Sequence, residues 1–245
     1  MSKVEIVIFA QYRELAKKII EKINKNKNKI SIRAVISDNN FYKNIKKKNK
    51  DVFLWKSNRF KNEEKLIKKL KKNSNLIGFS LQHKWIIKKS TIQIFKGNLF
   101  NFHFGKLPDY RGHNPVIHAM LKDEKYIYGT IHQISEKLDR GKIASEVRVL
   151  NKDKTSYEIE NELCKLFSKE FVRLINIFKK KKKIRLKKIK NGGNFNSIKD
   201  IEYLKKINNI YEIKKKTLAF DYPGHEPAYF KSNRNKKYLR KADVL

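Results

Sequence analysis

Cysteine is almost missing from this chain. Cys164 stands alone among 245 residues, so no intrachain disulfide is available and a reducing, cytoplasmic setting is expected. It sits in an apolar helical pattern, which assigns it to packing rather than to reactive chemistry. Four prolines and nine glycines are too few for a linker-rich or low-complexity protein. No run approaches the roughly 18 apolar residues that cross a bilayer, so no membrane partner is expected. The opening MSKVEIVIFA has only a short apolar stretch broken by Glu5, which suits a buried strand better than a signal peptide. Acids are scarce too: 24 Asp and Glu face 60 Lys and Arg, a formal charge of +36.

That excess would attract polyanions at low salt and makes nucleic acid the first partner to weigh. Its distribution argues the other way. Residues 101–150 hold eight basic and six acidic side chains, so most of the excess lies elsewhere. It consists largely of Lys scattered beside Asn and Ile, all residues with A/T-rich codons, and genomic base bias yields the same pattern. No RNA-recognition motif is present, and no aromatic residues interleave with the basic runs. Solvated lysine faces are the simpler reading, with an RNA-binding role left open by charge alone.

What is present is a strand–helix rhythm. VEIVIFA (4–10) reads as a buried strand, and residues 13–25 follow with Leu15, Ile19, Ile20 and Ile23 at helical spacing. SIRAVIS (31–37), DVFLW (51–55), NLIGFS (75–80) and GNLFNFH (97–103) read as further strands, with a helix over 62–72. This alternation predicts an α/β fold: a Rossmann-like, mostly parallel twisted sheet with helices on both faces. A short helix over 114–122 and two strands, 126–134 and 142–150, come next. Thr155 and Glu158 form a capping box that opens a helix bearing Leu163, Phe167, Phe171, Leu174 and Phe178 on one stripe. NGGNF (191–195) signals a turn before a small C-terminal α+β tail, whose FDYPGHEPAYF (220–230) reads as an ordered loop. The expected division is a catalytic domain over 1–188 and an extension over 189–245.

The chemistry concentrates in NFHFGKLPDYRGHNP (101–115) and KLDRGKI (137–143). Period-two alternation points Asn101 and His103 to one side at the carboxyl end of a strand, where open α/β sheets place ligands. An Asn amide can donate to a developing oxyanion, and a His can move protons near neutral pH. Asp139, in a Leu-Asp-Arg-Gly turn, can fold back to tune the imidazole. The three suit acyl transfer to an amine. Spacing alone also admits a hydrogen-bonded core His103 and an Asp139 that merely shapes a turn. No His pairs with Cys or acids at a metal-ligand spacing, so no metal is expected. The first strand leads into AQYREL rather than a Gly-rich phosphate loop.

NFHFGKLPDYRG resembles the signature of the folate-dependent formyltransferases, roughly Asn-x-His-x-x-x-Leu-Pro-x-x-Arg/Lys-Gly, and TIHQISEKLDRGKI (130–143) resembles that family's second signature. Both occur in the family's order and separation. The resemblance implies formyl transfer from 10-formyltetrahydrofolate as co-substrate to a neutral amine, through a tetrahedral intermediate. By position, Asn101 would hold the formyl oxygen, His103 would assist proton transfer, and Asp139 would orient His103. SLQHKWI (80–86) is similar to the segment lining the family's pterin pocket, which nominates Leu81, Gln82 and Ile86 for folate. Lys106, Tyr110, Arg111, His113 and Asn114 follow the catalytic strand and are candidates for the acceptor, Arg111 for a diphosphate because its guanidinium makes paired hydrogen bonds.

Three family branches compete for the acceptor. Methionyl-tRNA formyltransferases normally continue into a tRNA-gripping barrel, whereas this sequence ends fifteen residues after Phe230. Glycinamide ribonucleotide formyltransferases usually start with a phosphate loop and lack an FDYPGHEPAYF-like tail. The layout is most similar to the sugar N-formyltransferases, which implies a dTDP- or UDP-linked amino sugar as acceptor, a homodimer, and a part in making lipopolysaccharide or another surface glycan. A methionyl-tRNA enzyme without its barrel is the alternative within the family, and an RNA-binding protein on a degenerate scaffold the alternative outside it.

Overall fold

The computed structural model describes residues 3–11, 14–37, 54–56, 68, 76–83, 85–197, 199–232 and 235–245. Five strands, β1 (Val4–Ala10), β2 (Ile30–Ser37), β3 (Leu54–Lys56), β4 (Leu76–Leu81) and β5 (Leu99–His103), precede a short β6 (Tyr110–Gly112), then β7 (Tyr126–Gln133) and β8 (Ile143–Leu150). All but β6 join one seven-stranded sheet in the order β3-β2-β1-β4-β5-β7-β8. Its first five strands pair in parallel. Ile134 donates to the Leu99 carbonyl at 2.8 Å and His132 faces Asn101, so β7 runs antiparallel to β5. Every residue of β4 is buried, as are six of the seven in β1. Near-continuous apolar strands need cover on both faces, which the parallel sheet with crossover helices supplies. The mostly parallel α/β sheet expected from the alternation is what the chain forms.

Tracing the chain gives two compact units, interleaved along the sequence. The first comprises residues 1–103, 131–145 and 164–189. Helix α1 (Glu14–Lys25) buries Leu15, Ile19, Ile20 and Ile23, the spacing read from sequence. A short α2 (Lys89–Ile94) joins β4 to β5 and was not foreseen, since KSTIQI has no amphipathic length. From the long helix α4 (Ser156–Lys179), Phe171 meets Phe79 edge-on with centroids 5.0 Å apart, and Phe167 meets Phe102 at 5.2 Å. Truncating a ring such as Phe102 to Ala would cost about 3–5 kcal/mol. This aromatic packing fixes one face of β5 against α4 and leaves the other face for chemistry.

The second unit comprises residues 104–130, 146–163 and 190–245. Here the capping box forms as read: Glu158 N donates to Thr155 Oγ1 at 3.1 Å, and Thr155 N to Glu158 Oε2 at 2.7 Å. Helix α3 (Pro115–Leu121) takes Pro115 in its first turn. The NGGNF stretch is more than a turn, because β9 (Asn194–Asn196) pairs in parallel with β6. Gly193 has φ +78°, and a Cβ there would lie 1.9 Å from the Pro108 carbonyl oxygen, so only glycine permits that docking. Two short helices, α5 (Asp200–Leu204) and α6 (Ile213–Phe220), lead to a hairpin of β10 (Tyr229–Ser232) and β11 (Asn235–Tyr238). The FDYPGHEPAYF loop is tied by Arg240, which donates to Asp221 Oδ1 at 2.8 Å and to the His225 carbonyl at 3.0 Å. The helix expected over 62–72, and the start of the strand expected over 51–55, lie outside the described residues.

Candidate active site

Strand β5 delivers two candidate groups by simple alternation. Phe100 and Phe102 turn to the packed side and are 1% exposed. Asn101 and His103 turn to the other face, at the carboxyl end of a strand in register with β4 (Ser80 opposite Asn101). The third candidate returns from the loop after β7. Gln133 N donates to the Lys142 carbonyl at 2.8 Å, closing residues 134–141 into a loop. Gly141 makes the closure possible, for a Cβ there would fall 1.7 Å from the Gln133 carbonyl oxygen. Asp139 itself takes a left-handed conformation, φ 51°, which Asp tolerates better than most residues. Its side chain is thereby turned inward and is only 7% exposed.

The carboxylate lands between two imidazoles. Asp139 Oδ2 lies 3.8 Å from His103 Nδ1, and Oδ1 lies 3.4 Å from His132 Nε2. At these separations the coupling is electrostatic and too long for a good hydrogen bond. His132 is fixed more tightly. Its Nδ1 lies 2.8 Å from the Gln133 carbonyl, which can only accept, so Nδ1 carries the proton. Its Nε2 lies 3.3 Å from Asn101 Nδ2 as well as 3.4 Å from Asp139 Oδ1. The second N–H of that amide is left for another acceptor. The structure thus brings Asn101, His103 and Asp139 together and adds His132. Sequence reasoning passed over His132, although the alternation in YIYGTIHQ places it beside Asn101 on the adjacent strand.

The segment after β4 carries the folate candidates. Leu81 is fully buried at the end of β4. Ile86 is the reverse, 78% exposed, and Gln82 is half-buried with φ 53°. Between them lies His83, edge-on to Phe9 at 5.6 Å and to Trp85 at 5.4 Å. Neither of its ring nitrogens has a hydrogen-bond partner among the described residues. Burial pulls its pKa down from 6.5 to about 4, so the ring is neutral at physiological pH.

The acceptor candidates all lie in the second unit. Tyr110 is buried and its hydroxyl donates to Glu124 at 2.7 Å. Burial first, and then the Glu124 carboxylate, pushes its phenol well above the usual value. Arg111 donates through Nη2 to the Gly193 carbonyl at 3.0 Å, while its Nε is buried without a partner among the described residues. Lys106 pairs with Asp109 at 3.6 Å. His113 and Asn114 are exposed, Asn114 with φ 48° at the start of α3. Among the described residues, no cluster of three or more His, Cys, Asp or Glu could hold a metal, and no helix is long and apolar enough to cross a membrane.

The family model described as formyl transferase matches residues 3–175, a span containing all four clustered side chains. The chain belongs to the formyl transferase family. The bifunctional polymyxin resistance protein ArnA of Wigglesworthia glossinidia brevipalpis is 33% identical to this formyl transferase over 105 residues. That stretch is 42% of this chain but only 16% of ArnA. Among solved structures, a 4-N formyltransferase from Francisella tularensis superposes with a TM-score of 0.74 at 21% identity, covering 97% of this chain and 96% of that one. An N-formyltransferase from Helicobacter canadensis, in complex with folinic acid and dTDP-3-aminofucose, gives 0.70 at 24%, covering 96% and 86%. At those identities the two structures attest the fold.

Proposed function

We propose that this formyl transferase carries a formyl group from 10-formyltetrahydrofolate to the amine of a dTDP- or UDP-linked amino sugar. The observation that supports the chemistry best is the buried cluster of Asn101, His103, His132 and Asp139 at the carboxyl end of β5. When the amine adds to the formyl carbon, the carbonyl oxygen gains negative charge. The free N–H of Asn101 donates to that oxygen, and its other N–H is held by His132. His103 removes the proton released from the attacking nitrogen and returns one to the departing folate nitrogen as the old C–N bond breaks. Asp139 stabilises the transient imidazolium, and lying near both rings it also sets their relative placement. His132 is a positioning residue in this scheme.

The amino-sugar acceptor is favoured because the structure holding folinic acid and dTDP-3-aminofucose superposes with a TM-score of 0.70, against 0.67 for a methionyl-tRNA formyltransferase from Clostridium thermocellum that also covers nearly the whole chain. Residues 1–188 then act as the catalytic part and 189–245 as an extension, and Arg111, anchored by Gly193, is the candidate for binding a diphosphate. For the donor, the bent backbone at Gln82 and the flat rings of His83 and Trp85 suit a planar pterin. The test is a screen of nucleotide-linked amino sugars with 10-formyltetrahydrofolate, including methionyl-tRNA and glycinamide ribonucleotide. Formylated sugar nucleotide is expected. Turnover of methionyl-tRNA alone, or none of any amine, would overturn the reading.

A further inference from the structure

Residues 179–188 read KKKKKIRLKK: eight cations, two apolar residues and no acid. Most of the chain's lysine excess has a bland explanation, but this segment is the chain's densest run of cations. Lys205, Lys214, Lys215, Lys216 and Lys241 are each held by an Asp or Glu at 3.0 Å or less. None of the eight cations in 179–188 has an ion-pair partner among the described residues. One or two lysines at the end of α4 would suffice to complement its dipole. Eight, with neighbours closer than the Debye length of about 8 Å, repel one another.

The backbone nevertheless holds them in a defined array. Lys181 adopts φ 52° and donates to the Phe178 carbonyl at 3.0 Å, while Lys182 donates to Ile177 at 3.2 Å, closing the helix. The chain then extends, and Lys187 and Ile143 exchange two backbone hydrogen bonds of 2.8 Å at the start of β8. Ile184 and Leu186 line a cleft of about 640 Å³ with Phe100 and Phe178, Lys181, Lys182 and Lys183 stand at its rim, and Lys183, Arg185, Lys187 and Lys188 are exposed. The extended part presents its charges along about 20 Å. Phe100 and Asn101 point to opposite faces of β5, so a partner on this strip leaves the catalytic cluster uncovered.

We propose that the strip 179–188 docks the protein on an anionic membrane surface through attraction between its lysines and lipid headgroups. Seven of the eight cations are Lys, a flexible point charge, and only Arg185 could read phosphate with a paired fork. The strip exposes no aromatic ring on which a base would stack, as single-stranded RNA binding favours. Its apolar residues turn inward, so the contact is electrostatic and reversible. The earlier expectation of no membrane partner rested on the lack of an apolar span, which says nothing about surface charge.

Co-sedimentation of the full chain with phosphatidylcholine vesicles, with and without a phosphatidylglycerol fraction, tests this at about 0.15 M salt. Uptake on the anionic vesicles only is expected, weakening as salt rises. Replacing Lys182, Lys183 and Lys188 together with Gln should lower uptake by about 100-fold, about fivefold per lysine, the equivalent of about 1 kcal/mol each. The same three positions changed to Arg should keep it. Replacing Lys25, Lys27 and Lys29 with Gln should cost less than about tenfold, and circular dichroism should show every variant folded. The proposal fails if anionic vesicles take up no protein at this salt, or if both Gln triples lose equally, which would mean diffuse charge. It also fails if a transfer RNA binds with the same strip dependence and displaces the protein from vesicles.

Discussion

His83 is a group whose protonation this fold opposes. Its ring is packed edge-on between Phe9 and Trp85, both nitrogens are enclosed without partners, and burial lowers its pKa from 6.5 to about 4. The folded state therefore refuses a proton that the unfolded chain accepts below pH 6.5. Stability from this source is intact above pH 6.5 and is lost as pH falls toward 4, at about 1.4 kcal/mol per pH unit. The whole loss is about 3 kcal/mol, a large share of the 5–15 kcal/mol typical of a domain. Carboxylates also weaken the fold in acid; Lys241 holds Glu158 below its usual value, for example. A comparison with His83→Phe cancels that background. Phe keeps the planar ring and removes both enclosed nitrogens, so at pH 7 the variant should match or exceed the parent by about 1–2 kcal/mol. Urea unfolding at pH 7, 5.5 and 4 should then show the parent losing about 3 kcal/mol more than the variant across that range. Equal acid sensitivity in the two proteins would refute the argument.

The remaining predictions concern the catalytic cluster. Asn101→Ala should lower kcat by about 100-fold or more while leaving the fold intact by circular dichroism, the scale of a lost oxyanion donor; near-normal turnover would remove Asn101 from the mechanism. His132→Phe should lower kcat with little change in KM, and combining it with Asn101→Ala should lose less than the product of the two single effects, because one group acts through the other. Multiplicative losses would separate them. Gly141→Ala should displace the loop carrying Asp139, since the added methyl meets the Gln133 carbonyl at 1.7 Å, and a shift of about 1 Å at the carboxylate is expected to cost about 100-fold in kcat. Full activity in that variant would show that Asp139 does not need its loop.

The sheet was legible wherever burial is continuous. VEIVIFA became β1 at the residues expected, and the Phe167–Phe171–Leu174 stripe became the buried face of α4. These segments carry their own evidence, because period and composition agree over many residues. The short elements were not legible. Strand β9 exists because Gly193 and Gly112 let NFN lie against β6, and nothing in NGGNF distinguishes a turn from a turn that leads into a strand. Burial at a strand end is likewise set from outside the local sequence: the neighbours beside Leu81 come from other strands.

The candidate site was readable to the extent that its geometry is local. Asn101 and His103 share a strand, and alternation alone put them on one face. Asp139 is 36 residues away from His103, and its arrival depends on three conditions that spacing does not express: the Gln133–Lys142 hydrogen bond, a glycine at 141, and a left-handed aspartate. His132 was missed because it looks like one more residue of a buried strand, yet its role follows from pairing. Once β7 lies antiparallel to β5 with Ile134 bonded to Leu99, residue 132 must face residue 101. A histidine there, with Nδ1 already donating to a carbonyl, has one nitrogen left, set between the Asn101 amide and the Asp139 carboxylate. That nitrogen meets the amide whose other N–H the proposed chemistry needs, so the orientation of Asn101 is set by strand register and not by the loop. Loop mutations should therefore move the carboxylate and spare the amide.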